Sequence, residues 1–209
     1  MTEPAEFWEA RYSGSDGVWS GRVNPTMAEV AADLPPGRAL DLGCGEGGDV
    51  LWLAERGWQV TGVDISPTAV ARGRAAAAAA GLPEGQVRFV ADDLASFAAD
   101  GEYDLVTACF LQSPVELNRS GALVRAAARI APGGHLLVVT HAAPPPWASA
   151  LNHEHHPQQF LSPEQEIAAL ALSDTDWQTV RAEIRTRSAT GPDGRSADLH
   201  DAVVLLRRR

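Results

Sequence analysis

Short apolar runs alternate along this chain with stretches of helical spacing, separated by glycine, proline or small polar residues. Strands linked by crossover helices produce this alternation. Ala39 to Leu42, Trp58 to Asp64, Val87 to Val90, Tyr103 to Phe110 and His135 to Thr140 read as strands. Helices are expected at Phe7 to Tyr12, Pro25 to Asp33, Val50 to Glu55, Pro67 to Gly81 and about Val115 to Ile130. Ser66 before Pro67 supplies an N-cap with proline at the first helical position, and Ser162-Pro163-Glu164-Gln165 has the capping-box form. Trp177 to Arg187 and Leu199 to Leu206, joined by the turn Gly191-Pro192-Asp193-Gly194, read as an antiparallel hairpin. The pattern predicts an α/β protein whose mostly parallel sheet is covered on both faces, within one domain over residues 1–209.

The formal charge of -10 and pI near 5.0 disfavour a polyphosphate partner, so no nucleic acid is expected. Cys44 and Cys109 show neither a CxxC nor a zinc spacing and suit a reducing, cytoplasmic setting. No apolar run is long enough to span a membrane, and Met1 to Glu6 is acidic where a signal peptide would be basic.

Asp41-Leu42-Gly43-Cys44-Gly45-Glu46-Gly47-Gly48-Asp49 joins a strand to a helix through a glycine-rich turn, the makings of a ligand cradle. The glycines also satisfy a dinucleotide fingerprint, which leaves an NAD(P)-dependent oxidoreductase as one reading. A pyrophosphate there would meet Asp41, Glu46 and Asp49, with no lysine or arginine expected nearby to offset them. A cationic ligand suits the same acids.

Asp41 to Gly47 resembles the first motif of class I S-adenosylmethionine-dependent methyltransferases, and the resemblance extends over roughly residues 36 to 140. It implies S-adenosylmethionine as cofactor, S-adenosylhomocysteine as product, and a three-layer Rossmann-like sandwich with a seven-stranded sheet of order 3-2-1-4-5-7-6. Asp64 matches the family acid that accepts from the ribose hydroxyls, with Ile65 beside it; Asp92 and Asp93 match the acid near the adenine amino group, and Leu94 the adjoining amide. Asp41, Gly43, Cys44, Gly45 and Cys109 complete the implied cofactor set, with Trp8, Tyr12 and Trp19 closing over the sulfonium. Residues 1–34 are read as a helical lid, although aromatics pinning an ordinary N-terminal helix would look the same. Size and the Trp19-Ser20-Gly21 segment also resemble the tellurite-resistance and thiopurine methyltransferases.

Methyl transfer is an in-line displacement that gains mainly from alignment and exclusion of water, so it requires no metal or covalent intermediate. The acceptor is expected beyond Cys109, near Phe110, Gln112 and Trp147, with 141–161 forming a substrate-side loop. The Asn/Asp-Pro-Pro-Tyr/Phe motif of base and amide methyltransferases is missing at 109–114, which directs expectation to a small-molecule acceptor. His141 and His153 are the candidate general bases. Asn152-His153-Glu154-His155-His156 has metal-ligating residue types without an HExxH spacing, so a polar substrate wall or a plain surface loop is the simpler expectation and no metal is assigned. A non-catalytic module that keeps the cofactor site would share these features.

Overall fold

The computed structural model describes residues 3–83, 85–144, 146, 160–191 and 194–209. Trp147, His153, His155 and His156 lie outside the described residues. In chain order the elements are α1 (Glu3–Ser13), α2 (Pro25–Ala31), β1 (Arg38–Leu42), α3 (Gly48–Glu55), β2 (Gln59–Asp64), α4 (Pro67–Ala79), β3 (Val87–Ala91), β4 (Tyr103–Cys109), α5 (Arg119–Ala127), β5 (Ile130–His141), α6 (Pro163–Leu170), β6 (Trp177–Thr190) and β7 (Ser196–Arg208). One seven-stranded sheet has the order β3-β2-β1-β4-β5-β7-β6. The pairs β1–β2, β1–β4, β2–β3 and β4–β5 are parallel, whereas β7 runs antiparallel to both β5 and β6. This is the α/β order implied by the resemblance.

Side-chain alternation divides the core between two faces. Leu105, Leu137, Val203 and Leu205 pack with Met27 of α2, Val50 and Leu53 of α3 and Val70 of α4. Val106, Leu136, Val204 and Leu206 pack with Leu123 of α5 and Leu170 of α6 on the other side. Burial on both faces explains why the central strands are apolar throughout.

Several boundaries differ from expectation. The helix read from Val115 to Ile130 is only Arg119–Ala127, because Asn118 accepts from the Gly121 amide and caps it late, and Ile130 already pairs with Tyr103 as sheet. β5 begins at Ile130 rather than at His135 as expected, and a register shift against β4 and the positive φ of 84° at Gly133 accommodate the irregularity. Phe110 does not extend β4: it leaves the strand at φ 52°, an uncommon conformation for a residue bearing a Cβ.

Candidate functional site

The sheet reverses its winding between β1 and β4, so their carboxyl ends open a crevice where α/β proteins hold ligands. At the end of β1 the chain turns through Gly43, Gly45 and Gly47, with φ of 71°, 51° and 88°. Gly43 and Cys44 donate their amides to the Val63 carbonyl at 2.8 and 3.0 Å, which ties the turn to β2. Asp64, at the end of β2, accepts from the Gly45 amide and the Ser66 amide, each at 2.9 Å. One carboxylate therefore fixes both the glycine turn and the start of α4.

Asp41 and Thr107 are register partners in β1 and β4, and the Thr107 hydroxyl donates to Asp41 at 2.7 Å. Asp49 accepts from the Asn24 amide at 2.6 Å and from the Cys109 thiol. Burial pushes the carboxyls of Asp41, Asp49 and Asp64 above their ordinary range, Asp41 most clearly, where the neighbouring Asp49 adds to the effect. These partners are amides, one hydroxyl and a thiol, none of them a cation. Three desolvated acids around a bare backbone turn make a concave site that favours positive charge.

Glu46 behaves differently. It accepts from the Val18 amide at 3.2 Å, the Trp19 amide at 2.9 Å and Arg72 at 2.8 Å. Burial would raise its carboxyl, yet the Trp19 amide and Arg72 outweigh that and hold it below the usual value. The expectation of a turn without a basic neighbour is thus corrected: Arg72, remote in sequence on α4, neutralises Glu46 and leaves Asp41, Asp49 and Asp64 uncompensated.

Aromatic residues of the N-terminal segment gather at the glycine turn. Tyr12 is buried, and its hydroxyl accepts from the Trp19 indole at 2.9 Å. A Cβ built on Gly45 would lie 2.9 Å from the Tyr12 hydroxyl and 3.3 Å from the Trp19 ring, so both side chains lie directly over the turn. Trp8 is 6.3 Å from the Tyr12 ring and donates to Ser113 beyond β4 at 3.3 Å. Glu9, which sequence reasoning missed, reaches from α1 to Ser66 at 2.5 Å and to the Thr68 amide at 3.2 Å. Burial acts to raise Glu9, but these hydroxyl and amide donors prevail and lower it. Nothing in the sequence around a helical glutamate announces such a contact 57 residues away.

Asp92 accepts from the Asp93 amide and Asp93 from the Ala95 amide, each at 2.8 Å, so both carboxylates already shape the loop after β3. Leu94 is buried and Ile65 half-buried. The Cys44 side chain packs against Gly62, where an added Cβ would come within 2.9 Å of its sulfur. Burial pushes the thiols of Cys44 and Cys109 well up, so neither is a reactive thiolate. Beyond β4, Phe110 stacks on His141 with ring centroids 4.3 Å apart, and Gln112 accepts from the His141 amide at 2.9 Å. Among the described residues no group of three His, Cys, Asp or Glu is placed to hold a metal, and no helix is long and apolar enough to cross a membrane.

A parallel sheet closed by a reversed hairpin, with an acid-ringed glycine turn at its switch point, has the architecture of class I S-adenosylmethionine-dependent methyltransferases. Residues 39–134 match the family model described as a methyltransferase domain. The 2-heptyl-1-hydroxyquinolin-4(1H)-one methyltransferase of Mycobacteroides abscessus is 41% identical over 61% of this chain and 58% of its own length. Hemagglutinin 1 of Eikenella corrodens is 28% identical over 89% of this chain and 59% of its own. The chain therefore spans about three fifths of the length of these curated relatives. The N-methyltransferase NodS of Bradyrhizobium japonicum, solved with S-adenosyl-L-homocysteine, shares the fold with a TM-score of 0.67 at 18% identity, covering 99% of each chain.

Proposed function

We propose that this chain transfers the methyl group of S-adenosylmethionine to a small-molecule acceptor by in-line displacement. The observation that carries this reading is the set of uncompensated acids, Asp41 and Asp64 buried and Asp49 half-buried, around a turn whose glycines carry no Cβ, which fits a cationic ligand lying against bare backbone. When bound, the cofactor supplies an electrophilic methyl group. The chain's own residues align the partners and keep water out. Asp64 is assigned to the ribose hydroxyls, with Ile65 beside it, and the loop at Asp92, Asp93 and Leu94 to the adenine. Asp41, Gly43, Cys44, Gly45 and Cys109 line the methionine end, under Trp8, Tyr12 and Trp19.

The acceptor side is assigned to Phe110, Gln112 and His141. That the 41% identical relative is named for a hydroxyquinolinone supports a small molecule here. All the described strands share one sheet, which supports a single domain over 1–209, and the segment 1–34 is assigned as its lid. Two free cysteines and an acidic balance favour a cytoplasmic protein that does not bind nucleic acid.

Calorimetric titration with S-adenosylhomocysteine is the direct test: saturable binding is expected, and tight binding of NAD with no response to S-adenosylhomocysteine would overturn the reading. Turnover is tested with labelled S-adenosylmethionine and a cell extract, where absence of labelled product would favour a non-catalytic cofactor-binding module.

The raised acids also set a pH dependence. A carboxyl whose folded-state value lies above its unfolded value retains protons that the unfolded chain has released, so its contribution to stability is full below the ordinary carboxylate range and is lost as pH rises. A cationic ligand favours the ionised forms, and binding at low pH must expel those protons. Affinity for S-adenosylmethionine should therefore fall as pH is lowered toward the ordinary carboxylate range, and fall more than that for S-adenosylhomocysteine, which lacks the sulfonium charge. Parallel curves for the two ligands would remove the acids from the methionine end.

A further inference from the structure

A second polar cluster lies at the carboxyl ends of β4 and β5, where β6 and β7 run alongside. His141, the last residue of β5, is the register partner of Asp201 on β7. Its Nδ1 lies 3.2 Å from Asp201 Oδ1, and the other carboxylate oxygen accepts from Arg187 Nε on β6 at 2.6 Å. Asp201 is fully buried, while the His141 side chain retains 22% exposure. A carboxylate seated on a guanidinium only accepts hydrogen bonds, so His141 donates from Nδ1, and in the neutral imidazole its Nε2 then carries the lone pair. Phe110 stacks on the imidazole and Gln112 accepts from the His141 amide, which fixes ring and backbone together.

The neighbouring charges have other partners. Glu166 of α6 is engaged by Arg119 at 2.7 Å and by the Thr140 hydroxyl at 3.1 Å, while Arg185 binds Glu29 of α2 and Glu183, each at 2.8 Å. Cys109, one residue before Phe110, donates to Asp49, which places the cluster beside the glycine turn.

We propose that Asp201, backed by Arg187, is the positioning residue that makes His141 Nε2 a general base, and that the acceptor is consequently a weakly acidic hydroxyl rather than a thiolate or carboxylate already ionised. This rests on the methyl-transfer reading. A buried dyad of this kind gives nothing to an acceptor that has no proton to lose. In the step, the hydroxyl proton passes to Nε2 as the oxygen lone pair forms the new O–C bond. The C–S bond breaks, its electrons stay on sulfur, and the donor leaves as a neutral thioether. The imidazolium that results faces Asp201.

The test begins with the imidazole nitrogens of the 15N-histidine-labelled protein, with the His141 signal assigned by its loss in His141→Gln. The expected result is a protonated Nδ1 and a bare Nε2, with that preference lost in Asp201→Asn. A wild-type protein with the proton on Nε2 overturns the proposal, even if Asp201→Asn fails to fold. The second arm follows methylation of phenols of graded acidity with S-adenosylmethionine. Asp201→Asn should cost about 10- to 100-fold in kcat on weakly acidic phenols and much less on nitrophenols ionised at the assay pH, with KM for the methyl donor unchanged. Equal loss across the series, or turnover of thiols with no phenol methylated, overturns it. Failure of the parent reading shows separately, as absence of S-adenosylhomocysteine binding in a protein whose tautomer is read without ligand.

Discussion

Asp64→Ala is expected to lower affinity for S-adenosylhomocysteine by about 100-fold, roughly 3 kcal/mol, because it removes the charge-assisted acceptors assigned to two ribose hydroxyls. The substitution also strips the Gly45 and Ser66 amides of their common acceptor. Thermal stability is a poor reporter of this loss, since the same change relieves the burial that pushes the Asp64 carboxyl up. Calorimetry is the diagnostic measurement, with Asp64→Asn as companion: its amide retains the shape and one acceptor oxygen, so an intermediate affinity is expected. Affinity equal to wild type in both variants would place the ribose elsewhere.

Gly45→Ala should have an effect of similar size for a different reason. At φ 51° the new methyl group costs about 1 kcal/mol in backbone strain. It also points toward the Tyr12 hydroxyl at 2.9 Å and the Trp19 ring at 3.3 Å, into the space where a ligand is proposed to lie. Affinity for S-adenosylhomocysteine should fall by about 10- to 100-fold, the loss of one to two well-made contacts. Gly81→Ala separates strain from obstruction, since Gly81 has φ 67° and nothing within 4 Å of a built Cβ. It should lower the melting temperature comparably and leave affinity unaltered. A matching loss of affinity in Gly81→Ala would mean that the Gly45 result reports stability alone.

The glycine turn and the acids at the ends of β1 and β2 were legible because each is a local rule: a positive φ demands glycine, and a strand end beside a helix start demands a polar group. Strand alternation likewise announced two buried faces. What escaped the sequence were pairings across the sheet or between distant helices. Arg72 reaches back to Glu46 and Glu9 reaches forward to Ser66 and Thr68, but neither has a periodicity that betrays its partner. Asp201 left a fainter trace, a charged residue at the head of the apolar stretch Ala202 to Leu206, where a buried carboxylate requires a partner. That the partner would be His141 follows only from the antiparallel register of β5 and β7.

The fastening of α1 has a kinetic consequence. Glu9 grips the start of α4, Glu46 holds the backbone at Val18 and Trp19, and Trp8 is tied to Ser113, so Tyr12 and Trp19 are held against the turn by contacts from three separate elements. On the proposed reading, spent donor departs and fresh donor arrives only when these ties break together, as a local unfolding of the first turns of the chain. The pace of the catalytic cycle would then be set at the doorway, by how often the N-terminal segment lets go, and hardly at all by the ease of breaking a carbon–sulfur bond.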